Sequence, residues 1–304
     1  TLIAEFYVAA DTWQKPAGEY PMPDRTIRPG FAMAGSENRT IYLRNPGGTS
    51  LDDASRTRLF MLYSTLHGNW TPRANFSVLF QELPREKIQL GGAVVVADTL
   101  FYCLVHDSGP LMRYNINQNR WRVTSYPDAA ARRFNISPDL AGGICWDGRD
   151  RLYVLGNRNI YWYSITGDTW GLVGYGRLQS LPQPCSDCHD IAFVDDRIYM
   201  VLENRQFICY YTDFDCWANL AELPGTKPVA VCRMAADSEN KRIYMLTEVE
   251  QGIERTFVAY DIEKDSWILN LPQPEWGSLS KTLKPGAELV CGGSHELRGA
   301  HRSR

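Results

Sequence analysis

No apolar run in this chain approaches the roughly 20 residues that a helix needs to cross a bilayer. The opening stretch TLIAEFYVAADTW also lacks the basic start and long apolar centre of a secretory leader. Charge of one sign is missing too: 32 Lys and Arg stand against 35 Asp and Glu, a net −3. That balance points to neither a nucleic-acid partner nor an anionic membrane surface. Amphipathic helical periodicity is absent, with no three-turn window of apolar residues at i, i+3, i+4 and i+7. Histidine is scarce, five in all and widely scattered. Neither a Gly-x-Ser-x-Gly elbow nor a phosphate-cradling Gly-rich loop ending in Lys-Ser/Thr occurs. His295-Glu-Leu-Arg-Gly299 starts like a zinc-protease helix but has glycine where the second His belongs. No catalytic residue and no cofactor is therefore expected.

What is present is aromatic and turn-rich: 12% aromatics, 24 Gly and 17 Pro. Apolar segments are short and rich in Val, Ile and Tyr, as in DRLYVLG, DRIYMVL and KRIYMLT. They read as strands broken by tight acidic turns. One spacing recurs along the whole chain. An aromatic stands seven positions before a tryptophan at Phe6/Trp13, Tyr63/Trp70, Tyr114/Trp121, Tyr163/Trp170, Tyr210/Trp217 and Tyr260/Trp267. Successive tryptophans in that series are 57, 51, 49, 47 and 50 residues apart. The 37 residues after Trp267 together with the first 13 amount to one further repeat length.

Each unit reads as four antiparallel strands, A to D, with Trp opening the fourth. Such a sheet cannot bury both its faces alone, whereas a ring of sheets stacked face to face can. The expected fold is all-β: a six-bladed β-propeller of four-stranded antiparallel blades, one domain over 1–304. Its first blade is closed by both termini. LIAEFYV and the Trp13 strand supply C and D, GAELVCGG and HELRGA supply A and B, and 299–304 is a frayed tail. The repeat tryptophans Trp13, Trp70, Trp121, Trp170, Trp217 and Trp267 are expected between blades rather than as a sugar-binding ring.

The pattern resembles the Kelch-repeat family, on the aromatic-x6-Trp element preceded by strand B as RLYVLG, RIYMV or RIYML. The family's Gly-Gly doublet after strand B is replaced here by LGNR, VLEN and MLTE. Gly91-Gly92 and Gly142-Gly143 stand before strand A instead. The resemblance implies a protein- or peptide-binding propeller, most like the Kelch domain of BTB-Kelch adaptors of cullin-type ubiquitin ligases. A cullin would be reached only through a BTB region absent from this chain, and the location implied is cytoplasmic.

The alternative is a secreted propeller that binds carbohydrate or an extracellular protein. Four glycosylation sequons, at Asn38, Asn69, Asn75 and Asn135, speak for it. In that setting Cys209 and Cys216, flanking one hairpin turn, would be candidates for a disulfide. Cys185-Ser-Asp-Cys188-His189 offers three zinc ligands where a structural site needs four, so no metal is expected.

Propeller topology puts the D–A and B–C connections at one end and the A–B and C–D turns at the other. The second set is short and acidic, as at Asp195, Asp196, Asp213 and Asp237. The first set is long and carries arginine with interspersed aromatics, the composition of interface hot spots. The D–A connectors bring Arg25, Arg28, Arg73, Arg85, Arg132, Arg133, Tyr175 and Arg177. The B–C loops add Arg44, Arg158 and Arg205, and Trp276 is a candidate exposed anchor. These residues are the expected site for a protein or peptide, acidic or phosphorylated, because Arg forks pair bidentately with carboxylate and phosphate.

Overall fold

The computed structural model describes residues 5–7, 12–14, 32–36, 40–44, 60–64, 69–74, 94–104, 111–125, 140–156, 159–173, 190–202, 204–226, 228–249 and 255–272. They form 22 strands and no helix. A two-stranded sheet pairs β1 (Glu5–Tyr7) with β2 (Thr12–Gln14). Five four-stranded sheets follow in chain order. The first holds β3 (Ala32–Ser36), β4 (Thr40–Arg44), β5 (Phe60–Ser64) and β6 (Asn69–Pro72). The second holds β7 (Val94–Ala97), β8 (Leu100–Leu104), β9 (Leu111–Asn115) and β10 (Arg120–Val123). The third holds β11 (Leu140–Trp146), β12 (Arg151–Gly156), β13 (Ile160–Ser164) and β14 (Thr169–Leu172). The fourth holds β15 (Ile191–Val194), β16 (Arg197–Val201), β17 (Phe207–Tyr211) and β18 (Cys216–Asn219). The fifth holds β19 (Val229–Asp237), β20 (Arg242–Val249), β21 (Arg255–Asp261) and β22 (Ser266–Ile268).

Each four-stranded sheet is an antiparallel meander, and the first strands β3, β7, β11, β15 and β19 neighbour one another in that order. The sheets therefore radiate from an inner row of first strands, which is a β-propeller. Six four-stranded blades are not what the described residues display: there are five, and the sheet holding Trp13 has two strands. Its other two strands were assigned to 286–300, which lies outside the described residues, as do 299–304.

Strands such as RIYMV are apolar throughout because each sheet is covered on both faces. Ile198 and Met200 pack with Cys145, Tyr153 and Ile160 of the sheet before. Tyr199 and Val201, pointing the other way, pack with Cys232, Met234 and Tyr260 of the sheet after. Period-two alternation still operates, but both sets of side chains meet apolar neighbours.

The seven-residue spacing is a hairpin register. All six aromatic/Trp pairs are direct cross-strand partners, from Phe6↔Trp13 to Tyr260↔Trp267. In the four hairpins whose turns are described, four turn residues intervene and the last has a left-handed backbone: Asn119 (φ 51°), Asp168 (46°), Asp215 (52°) and Asp265 (47°). Asn and Asp are the non-glycine residues that tolerate this region best. Their side chains face back to the hairpin tyrosine: Tyr114 donates to Asn119 at 2.5 Å and Tyr163 to Asp168 at 2.8 Å, with the same bond at Tyr210–Asp215 and Tyr260–Asp265.

The same side chains reach the preceding blade. Asn119 accepts the N–H of Ala74, Asp168 that of Ser125 and Asp265 that of Ala221, each at 2.9 Å. The indole N–H of Trp121, Trp170 and Trp267 donates to the carbonyls of those same three residues, at 2.7, 2.9 and 2.8 Å. One tryptophan and one left-handed Asn or Asp thus grip both backbone groups of a single residue across the seam. The ring packs there as well: Trp121 lies edge-on to Phe60, at 4.8 Å between centroids, and Trp267 sits 5.1 Å from Phe207.

Cys209 is opposite Ala218 and Cys216 opposite Tyr211, so the two are not cross-strand partners. Both are free thiols, as are Cys145 and Cys232, which corrects the disulfide candidate. The segment Cys185–His189 and sequons Asn38, Asn75 and Asn135 lie outside the described residues; Asn69 lies in β6, opposite Ser64. Gly143 of the displaced doublet lies within β11, where a Cβ would stand 2.6 Å from the Ile191 nitrogen of the next sheet. Close approach of two inner strands therefore requires glycine there.

Trp170→Ala should cost about 3–5 kcal/mol by removing a buried indole from a seam. Trp170→Phe should cost about 1 kcal/mol beyond its lost area, because the Ser125 carbonyl loses its donor. Urea midpoints read both. A Trp170→Phe midpoint equal to that of the parent would show that the indole bond holds nothing.

Candidate functional site

A four-stranded meander sorts its connections between two ends of the blade. The end with the A–B and C–D turns is closed by backbone bonds. The first residue of each C–D turn donates to an A–B turn carbonyl: Ile116 to Thr99 (2.9 Å), Ile165 to Asp150 (2.8 Å), Thr212 to Asp196 (3.0 Å) and Ile262 to Lys241 (2.9 Å). The acids at this end are largely engaged. Asp150 accepts from Ser164 Oγ at 2.7 Å and from Thr166 N–H at 2.8 Å, bonds that hold its carboxyl below the ordinary range. Asp195 takes Lys241 at 2.6 Å and Asp196 takes Arg149 at 3.4 Å. Asp237, expected in an acidic surface turn, and Asp261 are only 2% and 7% exposed and cap their own turns through Asn240 and Lys264. The acidity at this end is turn chemistry.

The other end is where the arginines were expected from the sequence. Arg25, Arg28, Arg85, Arg132, Arg133, Arg158, Tyr175, Arg177 and Trp276 lie outside the described residues. Arg44 belongs to β4, in register with Ala32 and Phe60, rather than to a loop. Arg73 follows β6, half-buried, with its backbone N–H on Phe60. Its Nε is buried without an acceptor among the described residues. Its charge opposes the burial that raises the Tyr114 hydroxyl of the next blade. Arg73 thus brings an unsatisfied donor to the connector end.

Arg205 is the correction. It is 6% exposed, with its Nε donating to the Leu223 carbonyl at 2.8 Å while Leu223 N–H returns to its own carbonyl at 3.1 Å. A Cβ on Gly225 (φ 128°) would stand 2.6 Å from its guanidinium. The residue pegs the fourth sheet to its outgoing connector. Desolvation lowers its pKa, against the nearby Glu222.

A group that the sequence reading passed over sits among the inner strands. Asp190, directly before β15, accepts its neighbour Ile191's N–H at 2.9 Å and that of Met234 in β19 at 3.2 Å. Burial pushes its carboxyl up, opposed first by Arg233 and then by those two N–H groups. Burial also raises the thiols of Cys145 and Cys232, and Asp190 adds to both. Both cysteines are therefore protonated, without nucleophilic character. No three His, Cys, Asp or Glu side chains form a metal site among the described residues. A single Asp before an apolar strand carries no sequence signal distinguishing it from any turn acid.

No family model matches this chain, and no curated protein matches it. Solved structures do. A Bacteroides thetaiotaomicron protein of unknown function matches with a TM-score of 0.59 at 13% identity, over 88% of this chain and 65% of that one. A chain from a nidogen/laminin complex gives 0.49 at 12% identity, covering 78% of each. The extracellular domain of a B. thetaiotaomicron one-component system gives 0.48 at 13%, over 81% of this chain and 28% of that one. The chain thus spans less than two thirds of two of these three. At such identities the first match bears on the fold alone.

Arg205→Ala should lower stability by about 2 kcal/mol, by stranding the Leu223 carbonyl and removing a packed side chain. Chemical denaturation tests this. A variant with unchanged midpoint would return Arg205 to the surface. For Asp168, burial raises the pKa, but the Ser125 N–H and the Tyr163 hydroxyl outweigh it and hold the carboxyl below its ordinary value. Its contribution to stability is therefore present above the unfolded carboxylate range, near pH 4, and lost as pH falls through the folded pKa. Asp168→Asn should show a shallower acid loss of stability than the parent, and equal slopes below pH 5 would refute it.

Proposed function

We propose that this propeller is a protein- or peptide-binding module that engages an acidic or phosphorylated segment at the connector end. The observation that carries this reading is the difference between the two ends. Both carry repeated backbone bonds, but at one the acids are capped within their own turns. The other keeps Arg73, whose buried Nε has no acceptor among the described residues, where the sequence concentrates arginine. Rigid scaffolds commonly bind through the loops at one such end. The finer identity we propose is a Kelch-type propeller of six blades, its first closed by segments from 286–300 beside β1. It would serve as the substrate-recognition part of a cytoplasmic ubiquitin-ligase adaptor.

Charge reversal tests the binding end. Arg132→Glu with Arg177→Glu is compared with Asp213→Lys with Glu263→Lys, two exposed acids of the closed end. Both variants must first melt like the parent. The first pair should lose an acidic or phosphorylated peptide by about 2–5 kcal/mol, and the second should change it far less. Loss confined to the second pair would move the site to the closed end. Deleting 284–304 tests the closure separately: a truncated chain as stable and monomeric as the parent contradicts it.

A further inference from the structure

We infer that the β9–β10 hairpin carries a binding site of its own, in which Arg113, Arg120 and Arg122 hold the phosphate of one phosphorylated side chain on a partner polypeptide. The five four-stranded sheets serve as controls for one another. In each, a tyrosine of the second strand stands opposite a third-strand residue, which stands opposite a fourth-strand residue, all on one face. Four sheets complete that row with Leu62–Thr71, Trp162–Gly171, Cys209–Ala218 and Ala259–Ile268. The second sheet completes it with Arg113–Arg122, beside Tyr102. Two positions earlier in the fourth strand, on the same face, the other sheets carry Asn69, Thr169, Cys216 and Ser266. Here that residue is Arg120, opposite Asn115.

The fold asks for none of these three charges, since four sheets build the same hairpin without them. Two of them work against it, because like charges directly opposite each other destabilise a strand pair. The turn does not neutralise them either. Residues 111–125 contain three arginines and no acid, whereas 160–173, 207–220 and 257–270 contain one, two and three carboxylates with a single lysine among them. Arg120 and Arg122 are exposed and Arg113 is half-buried. Among the described residues none of the three forms an ion pair. The charge of Arg113 does act on Asp168 of the next sheet. That carboxylate is already held by the Tyr163 hydroxyl and the Ser125 N–H. A local choice that costs stability without a structural return is the mark of a functional position.

Three guanidinium groups confined to one hairpin match one compact dianion. A phosphate monoester carries a charge of about −1.5 to −2 and three acceptor oxygens, and arginine forks meet such oxygens two at a time. A carboxylate brings about half that charge. A polyanion fits poorly, because a polymer running on toward the following sheets meets Asp168, Asp213 and Asp215 in their turns. The hairpin shares no residue with the connector-end site, and this inference stands whether or not that end binds.

The probe is a capped pentapeptide with phosphoserine between pairs of alanines, titrated into the labelled full chain. The readout is the Nε–Hε resonances of Arg113, Arg120 and Arg122, assigned from single Arg→Gln variants. The probe should shift all three together, half-saturating at about 1 mM. The serine peptide should shift none of them, and inorganic phosphate should bind more weakly than the peptide. Arg120→Ser with Arg122→Thr installs residues found at these places in the other sheets. It should weaken the probe at least about tenfold and melt no lower than the parent, because a like-charge pair has gone. A lower melt would mean that the chain's own groups already hold these arginines, and overturns the inference. Arg132→Glu with Arg177→Glu should leave the hairpin shifts in place. Their disappearance in that variant would put the phosphate at the connector end and overturn this site alone. Absent shifts, equal binding by the serine peptide or inorganic phosphate, or tighter binding of a single-stranded oligonucleotide at the hairpin also overturns it.

Discussion

The propeller depends on one contact made several times: an indole N–H and a left-handed Asn or Asp that together hold both backbone groups of a residue in the neighbouring blade. Sheets stacked face to face are held mainly by apolar area, which is strong but does not fix orientation. Two hydrogen bonds to one amide do fix it. Each is worth only about 1 kcal/mol net, yet each sits at the rim of a seam whose rings carry the area. The bonds set the angle between blades, and the area makes it stable.

The clasp also explains why a tyrosine stands opposite each of these tryptophans. Its hydroxyl reaches the same Asn or Asp and steadies the acceptor. Burial and the adjoining carboxylate push the hydroxyls of Tyr163, Tyr210 and Tyr260 upward, so they stay protonated donors. The strand-B tyrosine Tyr199, raised by burial to about 12 against the pull of Arg197, is likewise neutral. These buried tyrosines therefore do structural work as neutral hydroxyls.

Much of this was legible from one spacing. Seven positions from aromatic to Trp encode a four-residue hairpin turn, and recurrence at about fifty residues encodes stacked four-stranded sheets. The site was far less legible. Arg205 reads as a loop arginine because it follows Asn204 in a polar loop. Only the packed structure shows its guanidinium turned inward onto Leu223 and Gly225. Asp237 and Asp261 read as surface acids for the same reason and are capping groups under their turns. Local sequence reports polarity, and polarity does not report which way a side chain turns.

By itself, then, the sequence determined the strand pattern, the hairpin register and the repeat. Those follow from chain-local rules: period-two alternation, turn residues that tolerate a left-handed backbone, and cross-strand pairing over a handful of residues. Tertiary structure alone decided which polar groups are engaged. The partners of Trp121, Trp170 and Trp267 lie 47, 45 and 46 residues away. The Trp217 indole, without an acceptor among the described residues, carries the same local signature as its satisfied counterparts. A bond between blades depends on how two separately folded sheets meet, and no window as short as a hairpin contains both of its ends.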